Sequence, residues 1–338
     1  INYVKVPVQQ IEQGVLGLFN KILTENVTDF IPYVFQIIGC FLLNYPDEIV
    51  QTSPDTFYAQ QFSFFLQPDQ WLSKGNIPAL SLLVRAYCAK LPQLVIANIE
   101  PVMLICQHLL QTPTNHQYAF MIFSSMLAFL DHQYIFTILP QIYNEIINQL
   151  ANPELKKYSQ GFALFLSDAC YFLEPDNALK LLGDNLQPAV EKWAESLPLI
   201  HGRAKVGVAL LGVMKTLLQA TVLEQPLWEK LFVGVVSMLE RPSMSAQNED
   251  IEVMRLEEQE AKEFDTTFSK LRYAEIPSVD DRPELREIVN YVEFMARQFA
   301  AFSQAHPGVL ADVVQRNFEP YMQKAFIGYQ ETYQIQFL

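Results

Sequence analysis

The sequence predicts an all-α fold of antiparallel helix pairs stacked in a row. Three observations carry that expectation: short apolar segments with helical spacing, proline-rich breaks between them, and a unit that recurs every 38 to 50 residues from residue 29 to about residue 240. Paired helices at this period are the pattern of HEAT repeats, in which each hairpin covers its apolar face only by stacking on the next. Function in such a chain resides in an extended surface, which points to binding rather than catalysis.

The spacing justifies each helix in turn. Ile77, Leu80, Val84, Tyr87 and Leu91 step by three or four residues, as do Val206, Leu210, Val213 and Leu217, and each set lines one helix face. Ile288, Val292, Met295, Phe299 and Phe302 repeat the pattern, with Arg286, Glu293 and Arg297 off the stripe. We expect helix 29–45 to pair with 54–66, 76–90 with 92–111, 114–129 with 132–150, 153–173 with 175–197, and 203–220 with 226–240. The pairs start near 29, 76, 114, 153 and 203, in steps of 47, 38, 39 and 50, and the next begins only near residue 283.

Helix starts follow from the first N–H groups, which lack partners inside the helix and accept help from a short polar side chain. Ser53-Pro54-Asp55, Asn76 and Asp281 fit that role, and Pro54, Pro78 and Pro283 fit the first turn, where no donor is needed. Pro140, inside an apolar run, is expected to kink or end its helix.

The gap of about 80 residues before the last pair holds the densest charge. Glu249, Asp250, Glu252, Glu257, Glu258, Glu260, Glu263 and Asp265 stand against Arg255 and Lys262, leaving −6 in seventeen residues, out of −14 for the chain. Such a run is either a solvated face or an inserted segment that docks a basic partner, with Ile251, Val253, Met254, Leu256 and Phe264 as anchors.

Composition bounds the function. At 338 residues the chain exceeds the ~250–300 residues at which one core stops growing, and no interdomain linker is evident. Half the residues are hydrophobic and only 12 are Gly, which favours helices over turn-rich sheets. The net charge of −14 argues against nucleic-acid phosphates and anionic membrane surfaces. Cys40, Cys88, Cys106 and Cys170 are too scattered for a zinc site and read as reduced core thiols of an intracellular protein. The first residues lack the order of a secretory signal, so the start looks internal. Residues 101–130 carry no Asp, Glu, Lys or Arg, yet the polar stretch Gln111 to Gln117 splits them into runs too short to span a bilayer, and we expect a buried hairpin.

The residues offer no catalytic constellation. Nucleophile-elbow, phosphate-loop, zincin and dinucleotide motifs are absent, and the five histidines are scattered. His108 sits in an apolar run and reads as an interior histidine, while His306 before Pro307-Gly308 marks a turn. Asp280-Asp281-Arg282-Pro283-Glu284 has the form with which helical prenyl-diphosphate enzymes hold Mg²⁺, but no second motif accompanies it. Helix capping by Asp281, with Glu284 in the first turn, is the better reading. No cofactor is expected.

Three stretches carry a family resemblance. DFIPYVFQ at 29–36, LQPDQWLSKGNIPALSLL at 66–83 and FDTTFSKLRYAE at 264–275 resemble the carboxy-terminal half of the exportin-2, or cellular apoptosis susceptibility, family, whose members re-export importin-α from the nucleus. Their order matches, as does the acidic stretch before the third. Residues from about 84 to 200 resemble the family only in hydrophobic pattern.

The resemblance implies an importin-β-superfamily solenoid over 1–338, with an acidic insert at about 241–282, that wraps cargo together with the small GTPase Ran in its GTP form. It implies importin-α and Ran-GTP as partners and shuttling between nucleus and cytoplasm. The family's amino-terminal repeats, which make the principal Ran contact, are absent from this sequence, so this would be the last third of a receptor that binds Ran poorly by itself. Trp71, Asn76, Ile77, Pro78, Leu80, Phe264, Phe268 and Leu271 match the family pattern. Trp71, Ile77 and Leu80 are expected to pack between repeats, and Phe264, Phe268 and Leu271 to pin the acidic segment. Importin-α carries a basic segment, so the eight acids from Glu249 to Asp265 are the candidate partner-binding residues. A HEAT scaffold without a nucleotide-linked switch remains the alternative.

Overall fold

Most residues of the stripes found by spacing lie on faces that the fold buries, with Leu91, Val292 and Phe302 only half-buried. Ile77, Leu80, Val84 and Tyr87 are each at most 2% exposed, and Val206, Leu210, Val213 and Leu217 are buried in the same way. The computed structural model describes residues 8–44, 57–150, 156–240, 282 and 284–338. All regular structure among the described residues is helical. They form two compact units, divided between Thr137 and Ile138.

The first unit contains α1 (Val8–Thr24), α2 (Ile31–Asn44), α3 (Phe57–Phe65), α4 (Pro68–Leu72), α5 (Asn76–Lys90), α6 (Pro92–Ala97), α7 (Ile99–Gln111), α8 (His116–Phe129) and the first residues of α9 (His132–Leu150). α2 packs on α1 and α5, α5 on α8, and α7 on α8. Aromatic rings lock α3 against two of these helices. Phe65 meets Phe35 of α2 edge-on at 5.5 Å, Phe62 lies 4.4 Å from Tyr87 of α5, and the Tyr87 hydroxyl donates to the Tyr58 carbonyl at 2.8 Å. Each such buried ring contributes about 1.5–3 kcal/mol of transfer energy.

The second unit continues from α9 through α10 (Lys156–Phe172), α11 (Pro175–Lys180), α12 (Leu186–Ser196), α13 (Arg203–Gln219) and α14 (Gln225–Leu239). It resumes with α15 (Glu284–Glu287), α16 (Tyr291–Ala305), α17 (Val309–Asn317) and α18 (Pro320–Tyr333). α10 packs on α12 and α13, α12 on α14, and α13 on α14. Close approach here depends on glycine: a Cβ on Gly212 of α13 would fall onto the Ser167 carbonyl of α10. At the same crossing the Trp193 indole of α12 donates to the Ser167 hydroxyl at 3.1 Å, which donates to the Ala163 carbonyl at 2.7 Å. The last helices gather around Phe232 of α14, whose ring lies 4.8, 5.2 and 5.6 Å from Phe299, Phe318 and Phe326.

Helices near 76–90, 132–150, 203–220 and 226–240 fall within a residue of expectation, whereas others are corrected. α1 lies before the first expected helix; Gly14 and Gly17, both poor helix formers, masked its pattern. The helix expected over 92–111 is two, broken at Asn98. The ring of Pro101 would strike the residue 97 carbonyl in a continuous helix, and the Asn98 amide donates to Leu94 O at 2.9 Å across the break. The helix expected over 175–197 divides likewise, between Gly183 at φ +56° and Pro188 in the first turn of α12.

Pro140 stays inside α9 and does not end it. Asn76 is the first residue of α5 and caps nothing; its amide donates to Gln70 O at 3.1 Å. The pair expected from near residue 283 opens with the short α15, and the long helix α16 begins only at Tyr291, because Asn290 accepts from the N–H groups of Val292 and Glu293. His108 is exposed, correcting its interior assignment: α7 buries Val102, Ile105, Cys106 and Leu109 and turns His108 outward beside Leu104. Cys88, Cys106 and Cys170 are buried free thiols and Cys40 is half-buried. Burial pushes the Cys88 and Cys170 thiols up to about 12. Ser53, Pro54, Asp55, Asp281 and Pro283 lie outside the described residues.

Candidate functional site

After α14 the next described residues are Arg282 and those from Glu284 onward, so their seat is the described structure that follows the acidic stretch in sequence. α10 supplies one wall, because Asp168, Tyr171 and Phe172, three and four residues apart, share a face. The Arg282 guanidinium pairs with the Asp168 carboxylate, whose side chain is 4% exposed, and lies 5.4 Å from the Phe172 ring centre. The Tyr171 hydroxyl donates to the Glu284 carboxylate at 2.5 Å.

α13 supplies the other wall. Arg203 donates to the carbonyls of Ile288 and Val289 at 3.1 and 3.0 Å, and its guanidinium lies 5.0 Å from the Tyr291 ring centre. One turn on, Gly207 leaves room for the Leu285 side chain and the Tyr291 hydroxyl, which a Cβ would strike. Lys215 ties the two walls together, donating to Tyr171 O at 2.8 Å and to Glu174 at 2.9 Å. A buried charge pair adds little net stability against an apolar alternative, but breaking it by removing one partner is strongly unfavourable. Losing either Arg282 or Asp168 would therefore leave the other charge without this partner in a poorly solvated site.

A second polar seam lies where α11 meets the turn after α13. Asp176 accepts from Thr221 N at 2.7 Å, Thr221 Oγ1 at 2.5 Å and Val222 N at 3.2 Å. Partial burial works against the charge, but these donors and Lys180 outweigh it and hold the carboxyl below its ordinary value. Glu229 of α14 is lowered in the same manner: burial opposes the charge, and Asn317, Gln225 and Arg316 overcome it.

The candidate partner-binding acids Glu249, Asp250, Glu252, Glu257, Glu258, Glu260, Glu263 and Asp265 lie outside the described residues, as do Phe264, Phe268 and Leu271. Trp71, Ile77 and Leu80 are buried packing residues, as expected, and the Trp71 indole donates to Phe65 O at 2.9 Å. Within the motif Asp280 to Glu284, the structure gives Arg282 and Glu284 to the seat. Sequence reasoning missed Asp168, Tyr171, Phe172, Arg203 and Gly207. One signal was available: Asp168 is the sole charged residue between Lys157 and Glu174, in an otherwise buried run, and such an acid needs a partner.

Exposed apolar side chains mark other surfaces. Phe30, Tyr33 and Ile37 share one face of α2 and its lead-in, at 55%, 37% and 37% exposure. Among the described residues no helix is long and apolar enough to cross a membrane.

Comparison with known proteins places this architecture. Residues 3–329 match the family described as CAS/CSE protein, C-terminus. The Schizosaccharomyces pombe protein named Importin-alpha re-exporter is 26% identical over 309 residues, covering 84% of this chain and 31% of that protein. Exportin-2 of Danio rerio is 24% identical over 345 residues, covering 97% of this chain and 34% of that protein. The chain thus spans about a third of the length of these relatives. A solved structure described as the exportin Cse1 in its cargo-free, cytoplasmic state superposes with a TM-score of 0.74 at 17% identity, over 95% of this chain and 32% of that one. That likeness establishes the fold, an all-α HEAT-repeat array, as the helix spacing predicts. With nearly its whole length matched, the chain belongs to the CAS/CSE family, in the region of that family's carboxy terminus.

Proposed function

We propose that this chain is part of a nuclear export receptor that binds importin-α cooperatively with Ran-GTP and returns it to the cytoplasm, shuttling between the two compartments and working by reversible binding without catalysis. The observation that carries this reading is the family match over residues 3–329, joined to a relative named Importin-alpha re-exporter. In this reading 1–338 is one repeat array with an acidic insert at about 241–282. The −6 charge between Glu249 and Asp265 suits a basic partner segment, because a concentrated field raises the local concentration of opposite charge and speeds encounter. Individual exposed ion pairs contribute only about 0–1 kcal/mol, so affinity comes from area and a few apolar anchors.

The test is importin-α binding to a receptor extended to the length of the relatives, with and without Ran-GTP. Cooperative export requires Ran-GTP to tighten importin-α by roughly 5–150-fold, and importin-α to tighten Ran-GTP by the same factor. Unchanged affinity overturns the transport reading and leaves a HEAT scaffold without a nucleotide-linked switch.

A further inference from the structure

We propose that Arg282 and residues 284–291 act as a strap that docks on the α10–α13 seam, or leaves it, as one cooperative unit, with the Arg282–Asp168 pair as its lock. Two independent features build the seat. Asp168 is a carboxylate buried in an apolar helix face, and the described strap supplies its counter-charge. Some distance away on α13, Gly207 opens a hollow that receives Leu285 and Tyr291, and Arg203 holds the carbonyls of Ile288 and Val289. Neither feature is needed for α10 and α13 to pack; that contact has its own glycine at Gly212.

The chemistry makes the release all-or-none. A half-released strap leaves Asp168 buried without its cation, an arrangement costlier than either full docking or full release with water reaching the carboxylate. The strap itself is short, with helix α15 only four residues long and Val289 83% exposed, so its docking rests on these anchors. Released, it uncovers an acidic and aromatic groove lined by Asp168, Tyr171, Phe172 and Gly207.

Hydrogen exchange on the whole chain tests this without any partner. The Leu285 and Ile288 amides, which donate to the carbonyls of Arg282 and Glu284, are the reporters. Three substitutions act at separate anchors: Asp168→Asn at the lock, Gly207→Ala in the hollow, and Arg203→Lys at the carbonyls. Each is expected to speed exchange at both reporters together, by roughly tenfold or more, while α12 and α14 keep wild-type protection. Exchange that rises only beside the substituted anchor makes these independent contacts and overturns the strap. So does unchanged exchange at the reporters, and so does an equal rise in α12 and α14, which makes these residues part of the global fold.

Discussion

Gly212 is a residue whose role lies in what it lacks. Its backbone lies against the Ser167 carbonyl, and the adjacent Trp193–Ser167–Ala163 hydrogen bonds leave α10 little room to retreat. Gly212→Ala is expected to destabilise the protein by about 1–3 kcal/mol in urea unfolding, although alanine favours helix at an exposed site. Asp176 acts through charge. Its native carboxyl titrates below the ordinary range, so its contribution is fully present above pH ~4 and is lost as pH falls through the lowered native value. Because the site is only half-buried and solvent screens it, Asp176→Ala is expected to cost about 1 kcal/mol or less at pH 7. Thermal unfolding at successive pH values checks the sign: the gap between variant and parent should close on acidification.

At the scale of elements, proline and glycine cut the helices where the chain must turn, and aromatic rings hold the pieces. Pro101 and Pro188 each stand in the first turn of a helix whose predecessor stops short, since a proline ring cannot follow an unbroken turn. Phe232 joins α14 to α16 and α18 through Phe299 and Phe326, and meets Phe318, just beyond α17. Phe232→Ala is expected to cost about 3–5 kcal/mol, the transfer term plus an unfilled cavity. Urea unfolding followed by circular dichroism checks the cost, and the fluorescence of Trp228, stacked 5.4 Å from Phe232, should report a changed environment.

At the scale of the whole molecule, charge sets the long-range behaviour. A chain of net charge −14, with −6 of it between Glu249 and Asp265, attracts a basic partner over a range set by the Debye length. Reversing Glu257, Glu258 and Glu260 to Lys changes that stretch by six charges and, on the proposed function, is expected to weaken association with a basic partner at low ionic strength, chiefly by slowing it. The difference should shrink at high salt. Association rates measured by surface plasmon resonance across a salt series decide the matter, and equal rates at low salt return the stretch to a solvated face.

The sequence by itself determined the repeat class and most helix positions, because both follow from local chemistry: apolar residues three and four apart, prolines that cannot continue a turn, and a period set by the length of two helices. The buried faces of α5 and α13 were legible for the same reason. The seat of Arg282 and residues 284–291 was not. Asp168 and Arg282 are 114 residues apart, and no local rule pairs them; the need of a buried carboxylate for a cation is visible only once α10 and α13 stand side by side. Gly207 and Gly212 look like weak points in a helix until the neighbouring backbone and side chains occupy the space a methyl group would take. His108 was misread because an apolar run names a helix, whereas the packing of neighbouring helices chooses which face of it meets water.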